Sequence, residues 1–436
     1  MERGKKVGMV SLGCDKNRVD SEKILYSLQK AGYMLVSDAA EADIIIINTC
    51  AFIDAAKKES INTILEFAAL KRDSGKKLIV AGCLAERYAE EIEKELPEVD
   101  VFVGIDSYKD IADILEEKYG RIVKTPDLSY YEKGRVLTTP MHYAYLKIAD
   151  GCDNFCSYCA IPYIRGRYRS YPMEKLLEEA EKLAEQGVKE LILVAQDTTR
   201  YGIDLYGRYA LKELIRKLAK LPFAQIRLLY AYPELLDDEL IAMIAEEEKL
   251  ARYLDIPLQH IDDNVLKRMN RRSRSAEIYS LLEKIRSRSN EIAIRSGFIV
   301  GFPGETEEEY GKLRDFIKAG YIDYAGFFAY SREEGTAAGK MKGQIPSAVK
   351  RAREKELSEI QSANIVESHK KYLGKTIRVL YEGIDYKRCL FYGRNSQNAP
   401  DIDTKIYFSS DYPVEIGEYY NVCITATGFH LSGKTI

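Results

Sequence analysis

A chain of 436 residues, 46% hydrophobic and 31% charged, is long enough for two or three domains and able to bury a large core. Its formal net charge of -3 argues against a general nucleic-acid binder, and no apolar run approaches the ~20 residues of a membrane span. Lys5 and Lys6 precede a short apolar run at 7–12, but Gly8 interrupts it and it is too short for an export signal, so a cytoplasmic location is expected.

Residues 1–120 alternate strand and helix. Residues 7–11 read as a strand, followed by a helix with Ile24, Leu25, Leu28 and Ala31 at helical spacing, stopped at Gly32. The unbroken run Ile44 to Ile47, within a strand at 43–48, is that of a strand covered on both faces. A helix carrying Ile61, Ile64, Leu65 and Ala68 follows, then strands at 78–81 and 101–104. This pattern predicts an open parallel α/β sheet. Residues 121–141 are polar and irregular, as in a linker. Alternation restarts in a domain at 142–372, with strands expected at 145–148, 191–195, 226–230, 254–257, 294–300 and 325–330. Helices fit between them; one carries Leu176, Leu177, Ala180, Leu183 and Ala184 and ends at Gly187. Six strand–helix units predict a partial (βα)6, TIM-like barrel. A stretch without Pro or Gly, 347–373, reads as a long charged helix. Short Tyr- and Val-rich strands over 373–436 predict a small antiparallel β-barrel.

Eight cysteines stand at 14, 50, 83, 152, 156, 159, 389 and 423. Disulfide-dense domains are small and secreted, so in this chain clustered cysteines point to metal binding or reactivity. Cys152, Cys156 and Cys159 form C-x3-C-x2-C directly after the first strand of the second domain, where barrel folds keep their chemistry. They are one ligand short of the four that close a structural zinc or iron–sulfur site. His142 lies ten residues upstream of Cys152, across a strand. Structural zinc with a distant fourth ligand, and plain buried thiols, stay open on spacing alone. Cys14, Cys50 and Cys83 each close a predicted strand. Carboxyl ends of neighbouring strands meet along one edge of an open parallel sheet, so these three can converge on a second centre. Chance placement of buried cysteines is the alternative. Cys389 and Cys423 are expected as packing residues in tail strands.

With Tyr158 at the aromatic position, the loop resembles the C-x3-C-x-Φ-C signature of the radical S-adenosylmethionine superfamily. The resemblance implies a [4Fe-4S] cluster on Cys152, Cys156 and Cys159, whose fourth iron takes the amino and carboxylate groups of S-adenosylmethionine. An electron passed into the sulfonium then releases a 5′-deoxyadenosyl radical. It further implies cofactor contacts at Gln196 and Asp197, and a close approach to the adenine at Gly301 and Gly304 in Ile299-Val300-Gly301-Phe302-Pro303-Gly304-Glu305. An ordinary strand-to-helix turn accounts for those two glycines equally well. His260 is read either as facing the cofactor or as a hydrogen-bonded structural residue. Lys16 and Asn17 flank Cys14, where they could tune a centre or meet substrate; helix capping is the plain alternative for Asn17.

Two incomplete three-thiolate centres together with the tail barrel resemble the methylthiotransferase family from end to end. That resemblance implies an auxiliary [4Fe-4S] cluster on Cys14, Cys50 and Cys83 carrying the sulfur to be inserted, and a TRAM domain over 373–436. One S-adenosylmethionine methylates the sulfide, and a second generates the radical that opens an unactivated C–H bond. No catalytic residues are expected beyond the cluster ligands. Leu12-Gly13-Cys14-Asp15-Lys16-Asn17, Asp150-Gly151-Cys152-Asp153, Gln196-Asp197-Thr198-Thr199, Glu333-Glu334-Gly335-Thr336 and Ala399-Pro400-Asp401-Ile402-Asp403 resemble the branch acting on an aspartate of small-subunit ribosomal protein S-twelve. Tyr171, Asn398 and Thr404 depart from its pattern. The tail holds seven cations and seven anions from Leu373 onward, which disfavours a phosphate-binding barrel. Expected partners are protein S-twelve and an electron-donor protein such as flavodoxin or ferredoxin, with nucleic acid not the main substrate and no membrane. A transfer-RNA methylthiotransferase, and a zinc-bearing RNA- or ribosome-binding protein without catalysis, are the alternatives.

Overall fold

The computed structural model describes residues 4–72, 75–116, 122–123 and 134–436. The chain forms two compact units. One comprises Met1–Thr139, Tyr145–Glu179 and Ser331–Thr336, the other Pro140–Ala144, Ala180–Tyr330 and Ala337–Ile436.

The first unit is built on a six-stranded parallel sheet of β1 (Lys6–Ser11), β2 (Met34–Val36), β3 (Ile44–Thr49), β4 (Lys77–Gly82), β5 (Val101–Val103) and β6 (Ile122–Val123), in the order β2-β1-β3-β4-β5-β6. Ile44, Ile45, Ile46 and Ile47 on β3 have no exposed surface, as the apolar run required. Each such side chain contributes about 1.5–3 kcal/mol by leaving water. Helices α1 (Asp15–Lys30), α2 (Asp54–Arg72), α3 (Cys83–Glu95) and α4 (Ile111–Glu116) connect the strands. The turn after α1 needs Gly32, at φ 94°. Strand β2 was not foreseen: three half-exposed residues at a sheet edge leave no periodic signal.

Strand β7 (Tyr143–Lys147) runs into β8 (Ala149–Asp150), which pairs antiparallel with β9 (Arg169–Ser170). The loop between β8 and β9 holds the C-x3-C-x2-C motif and the short helix α5 (Ile161–Ile164), whose Ala160 and Ile164 join the apolar core of the parallel sheet. Of the expected linker, 121 and 124–133 lie outside the described residues. Its end, 134–141, forms no helix or strand, and part of it is held by buried polar contacts. Arg135 is buried and bonds both Glu22 and Glu179, Val136 donates its N–H to the Glu22 carbonyl at 3.1 Å, and Thr138 donates N–H and Oγ1 to Glu22 Oε1. Polar composition here marks a buried ion cluster and not a free tether.

In the second unit β10 (Glu190–Val194) pairs parallel with β11 (Gln225–Leu228). Strands β12 (Tyr253–Asp255), β13 (Ala293–Val300) and β14 (Tyr324–Ala329) form a parallel set in that order. The bond from Ala231 N–H to the Asp255 carbonyl, 2.8 Å, ties the end of β11 to β12. The long helix spans Ser347–His369 and tightens into one 3-10 turn, Lys370–Tyr372. The tail closes as a five-stranded barrel of β15 (Thr376–Asp385), β16 (Leu390–Arg394), β17 (Ile406–Ser409), β18 (Tyr419–Ala426) and β19 (Leu431–Thr435). The barrel pairs antiparallel as expected, except that β17 and β19 run parallel. An odd number of strands cannot alternate in direction all round a closed ring, so one pair must run the same way. Cys423 lies on β18, but Cys389 sits exposed in the turn before β16 at φ 53° and is not the strand filler expected. Among the described residues no helix is long and apolar enough to cross a membrane.

Candidate metal centre and cofactor site

Strands β1, β3 and β4 are direct neighbours, and their registers set Ser11 opposite Asn48, and Thr49 opposite Gly82. Cys50 follows β3 immediately, Cys83 follows β4 immediately as the first residue of α3, and Cys14 ends the short turn after β1. The three cysteines therefore stand on three adjacent strand ends. Two glycines permit this crowding. Gly13, at φ 86°, packs so closely that a Cβ there would lie 2.7 Å from Cys50 Cβ, and a Cβ on Gly82, at φ 94°, would lie 2.3 Å from Asn48 Oδ1. Ser60 on α2 fixes the Cys50 backbone, its Oγ accepting from Cys50 N–H and donating to Cys50 C=O.

Cys50 and Cys83 are buried and Cys14 is exposed, so the group opens to solvent at one corner. Burial, with the neighbouring Cys83 and Cys14, pushes the Cys50 thiol up to about 12. Burial raises Cys83 as well, against the pull of Arg165. Buried thiols lose their protons most readily to a cationic centre, which supplies the charge that burial opposes. Among the described residues no three His, Cys, Asp or Glu side chains close on one point as ligands of a single ion do. A four-iron cluster does not ask for that, since each thiolate bonds a different iron. The donor set fits such a group.

The second trio lies in the same unit. Cys152 and Cys156 are buried, Cys159 is half-buried, and so is Tyr158 between them. The loop is folded back on itself: Cys152 N–H donates to Gly166 C=O at 3.2 Å, Cys159 N–H to Cys156 C=O at 2.9 Å, and Asn154 N–H points at Cys152 Sγ from 3.5 Å. Its base is Asp150, which accepts from Gly151 N–H at 2.9 Å, Lys147 Nζ at 2.9 Å and Arg165 Nη1 at 2.9 Å. Burial works against the Asp150 charge, but Arg165 and Lys147 outweigh it and hold the carboxyl far below its usual range.

Asn17 does not cap α1; Cys14 is the N-cap residue. Its Nδ2 donates to the Leu12 and Thr49 carbonyls at 3.0 and 2.8 Å, stitching β1 to β3 beside the trio. Its Oδ1 accepts from Arg165 at 2.7 Å. Lys16 is buried with Nζ 2.9 Å from Asp15 Oδ1. Tyr171 offers its ring to Lys23 and Lys147, each Nζ 5.9 Å from the centroid.

In the second unit, Gln196 and Asp197 follow β10 and Gly301 and Gly304 follow β13. Gln196 is half-buried. Asp197 is buried, its Oδ1 accepting from Thr199 N–H at 3.1 Å and Thr199 Oγ1 at 2.5 Å, so that carboxylate shapes its own turn. Gly301 and Gly304 adopt φ 68° and 75°. Glu305 pins the turn by accepting from Gly301 N–H at 3.0 Å and Phe302 N–H at 3.3 Å. His260 is fully buried; its Nδ1 accepts from Asp262 N–H at 3.0 Å and its Nε2 stands 3.6 Å from Glu305. Burial lowers its pKa to about 3, so the ring is neutral. The structural reading of His260 is the one these contacts describe. The flanking Asn398 and Thr404 bond each other at 3.3 Å, and Asn398 also donates to Tyr324 at 2.8 Å.

Sequence reasoning missed Arg165, Asp20 and Lys147. One signal was present: Lys147 stands inside a strand between Leu146 and Ile148, and a buried lysine demands a carboxylate partner.

Comparison with known proteins agrees with this layout. Residues 6–104 match the model described as Uncharacterized protein family UPF0004, residues 146–317 the Radical SAM superfamily, and residues 373–436 the TRAM domain. In fold the chain is similar to the radical S-adenosylmethionine methyltransferase TsrM from Kitasatospora setae, at TM-score 0.57 and 15% identity, covering 77% of both chains. It is also similar to the cobalamin-dependent S-adenosylmethionine radical enzyme OxsB, at TM-score 0.52 and 12% identity, covering 82% of this chain and 56% of that one. The fold and the three-cysteine loop are those of a radical S-adenosylmethionine enzyme. Ribosomal protein uS12 methylthiotransferase RimO of Acetivibrio thermocellus is 47% identical, covering 99% of this chain and 98% of the relative, and that of Clostridium botulinum is 46% identical, covering 96% and 95%. The chain belongs to the RimO family of radical S-adenosylmethionine methylthiotransferases.

Proposed function

We propose that this enzyme adds a methylthio group to the β-carbon of an aspartate in small-subunit ribosomal protein S12, using two [4Fe-4S] clusters and S-adenosylmethionine. Cys14, Cys50 and Cys83 hold the auxiliary cluster, and Cys152, Cys156 and Cys159 the one that binds the cofactor. The observation that carries the reading is the pair of cysteine trios in one compact unit, in a chain 46–47% identical to RimO enzymes along nearly its whole length. Bound there, the clusters and cofactor supply the sulfur and the radical that an unactivated C–H bond, with no acid–base handle, requires.

The chain's own residues hold and shield. Burial of four of the six cysteines keeps water from the iron corners, while exposed Cys14 leaves the auxiliary site open to the substrate. Tyr158 in the first unit, and Gln196, Asp197, Gly301 and Gly304 in the second, are the residues assigned to the cofactor by the family pattern, with Glu305 fixing the glycine turn. A small electron-transfer protein such as flavodoxin or ferredoxin reduces the enzyme in the cytoplasm. The tail barrel's balanced charge suits docking of a protein better than of RNA.

Anaerobic purification tests the centres: the chain binds about eight irons with matching sulfide, and replacing either trio by alanine halves that count. A colourless zinc protein ends the proposal. Mass spectrometry of S12 from a deletion strain tests the substrate; an aspartate still methylthiolated without this gene rules it out.

A further inference from the structure

Arg165 lies six residues beyond Cys159, yet its side chain reaches the amino-terminal trio. It is 3% exposed. Its Nη1 donates to Asp20 Oδ2 at 3.0 Å and Asp150 Oδ2 at 2.9 Å, and its Nη2 to Asn17 Oδ1 at 2.7 Å, with Cys83 Sγ 3.8 Å from the same nitrogen. The guanidinium is planar, so two carboxylates on one edge and an amide oxygen on the other fix its orientation. The N–H toward sulfur is thus held by groups that are not cysteines.

Asp20 and Asp150 together balance Arg165 and Lys147, which bond both carboxylates, so the ion cluster would be complete without the contact to Cys83. The contact matters once the sulfur carries charge. A hydrogen bond to a ligand sulfur favours the more negative state of an iron–sulfur cluster and raises its reduction potential. Resting on the assignment of Cys83 as an auxiliary-cluster ligand, we propose that Arg165 is a positioning residue for that cluster, its Nη2 holding the Cys83 sulfur and setting the cluster's potential.

The test uses the full chain with Cys152, Cys156 and Cys159 replaced by alanine, so that only the auxiliary cluster assembles. The midpoint is read by EPR during titration with a chemical reductant that supplies the electron. R165K keeps a cation for Asp20 and Asp150 but loses the planar fork, and R165Q loses the charge. E179Q is the control, a buried carboxylate that bonds Arg135 and Lys23 in the same unit. The expected result is about four irons in every variant. At fixed potential the ratio of reduced to oxidised cluster falls about tenfold in both Arg165 variants, a midpoint about 59 mV lower for a one-electron couple, with E179Q unmoved. Where R165Q fails to fold, R165K decides. Loaded Arg165 variants with an unchanged midpoint, or an equal shift in E179Q, overturn the proposal. A background chain that takes up no iron overturns the cysteine assignment itself, and this inference with it.

Discussion

Arg394 Nη2 on β16 of the tail barrel donates to Glu190 Oε2 on β10 over 2.7 Å, both side chains being buried. The other oxygen of Glu190 accepts from Arg227 Nε at 2.7 Å, and Arg394 Nε donates to Glu382 at 2.7 Å. Burial opposes the charge on Glu190, but Arg227 and Arg394 outweigh it and hold the carboxyl below its usual range. An alternating chain of two cations and two anions thus joins the barrel to β10 and β11. Removing one member leaves a buried charge unmatched. R394M is expected to cost about 3–5 kcal/mol, measured by urea unfolding, with faster amide exchange across β15–β19. The double variant R394M with E190Q should lose less than the sum of the two singles. A stability equal to that of the unaltered chain would remove the chain of charges from the account of how the barrel is held.

Gly151 is the hinge of the three-cysteine loop. It adopts φ 74°, and a Cβ there would lie 2.1 Å from the Arg167 carbonyl oxygen. A backbone atom cannot swing aside as a side-chain end can. G151A therefore breaks the fold-back that aligns Cys152 with Cys156 and Cys159, at a local cost of at least 1–3 kcal/mol. The expected outcome is a chain that keeps its auxiliary iron and loses about half of the total. Full iron loading would mean the loop tolerates a wider turn than its backbone suggests.

What the sequence made legible follows from the range of each signal. The strand ends bearing Cys14, Cys50 and Cys83 were readable because apolar runs and helical spacing are local properties of the chain. The C-x3-C-x2-C motif was readable for the same reason. Arg165 was not: its partners Asn17 and Cys83 stand 148 and 82 positions away, and an arginine in a polar loop looks solvated until the fold buries it. The pairing of Arg135 was hidden likewise, because it reads as a polar linker residue until Glu22, 113 positions earlier, is brought to it. The short strand β2 carried too few residues for any periodicity.

Glu333 holds the segment Ser331–Thr336 to the first unit. Its Oε2 accepts from Lys57 Nζ at 2.9 Å and Arg87 Nη1 at 3.2 Å, and its Oε1 from Ser331 Oγ at 2.7 Å. The carboxylate is 2% exposed. E333A removes the shared acceptor of two cations and should open the segment. Tryptic cleavage after Arg332 is expected to accelerate about tenfold, equivalent to ~1.4 kcal/mol of local opening. An unchanged cleavage rate would show that the bond from Arg87 Nη2 to the Glu334 carbonyl suffices.

His260 predicts a pH dependence of stability. Its ring is fully buried, and burial drives its pKa from 6.5 to about 3, although Asp262 and Glu309 pull the other way. Between pH 6.5 and 3 the unfolded chain therefore binds a proton at this position and the folded chain does not. Stability is undiminished above pH 6.5 and is lost as pH falls below it, by about 1.4 kcal/mol per pH unit from this group alone. At pH 5 the loss is about 2 kcal/mol. Carboxylates elsewhere also destabilise the fold in acid, so the comparison must be with H260Q, which cannot take up the proton. H260Q is less stable at pH 7, because it gives up the bond from Asp262 N–H, but its further loss on going to pH 5 should be about 2 kcal/mol smaller than that of the unaltered chain. Parallel curves for the two proteins, followed by denaturant unfolding of the metal-free chain at each pH, would mean that the imidazole takes up its proton without leaving its place.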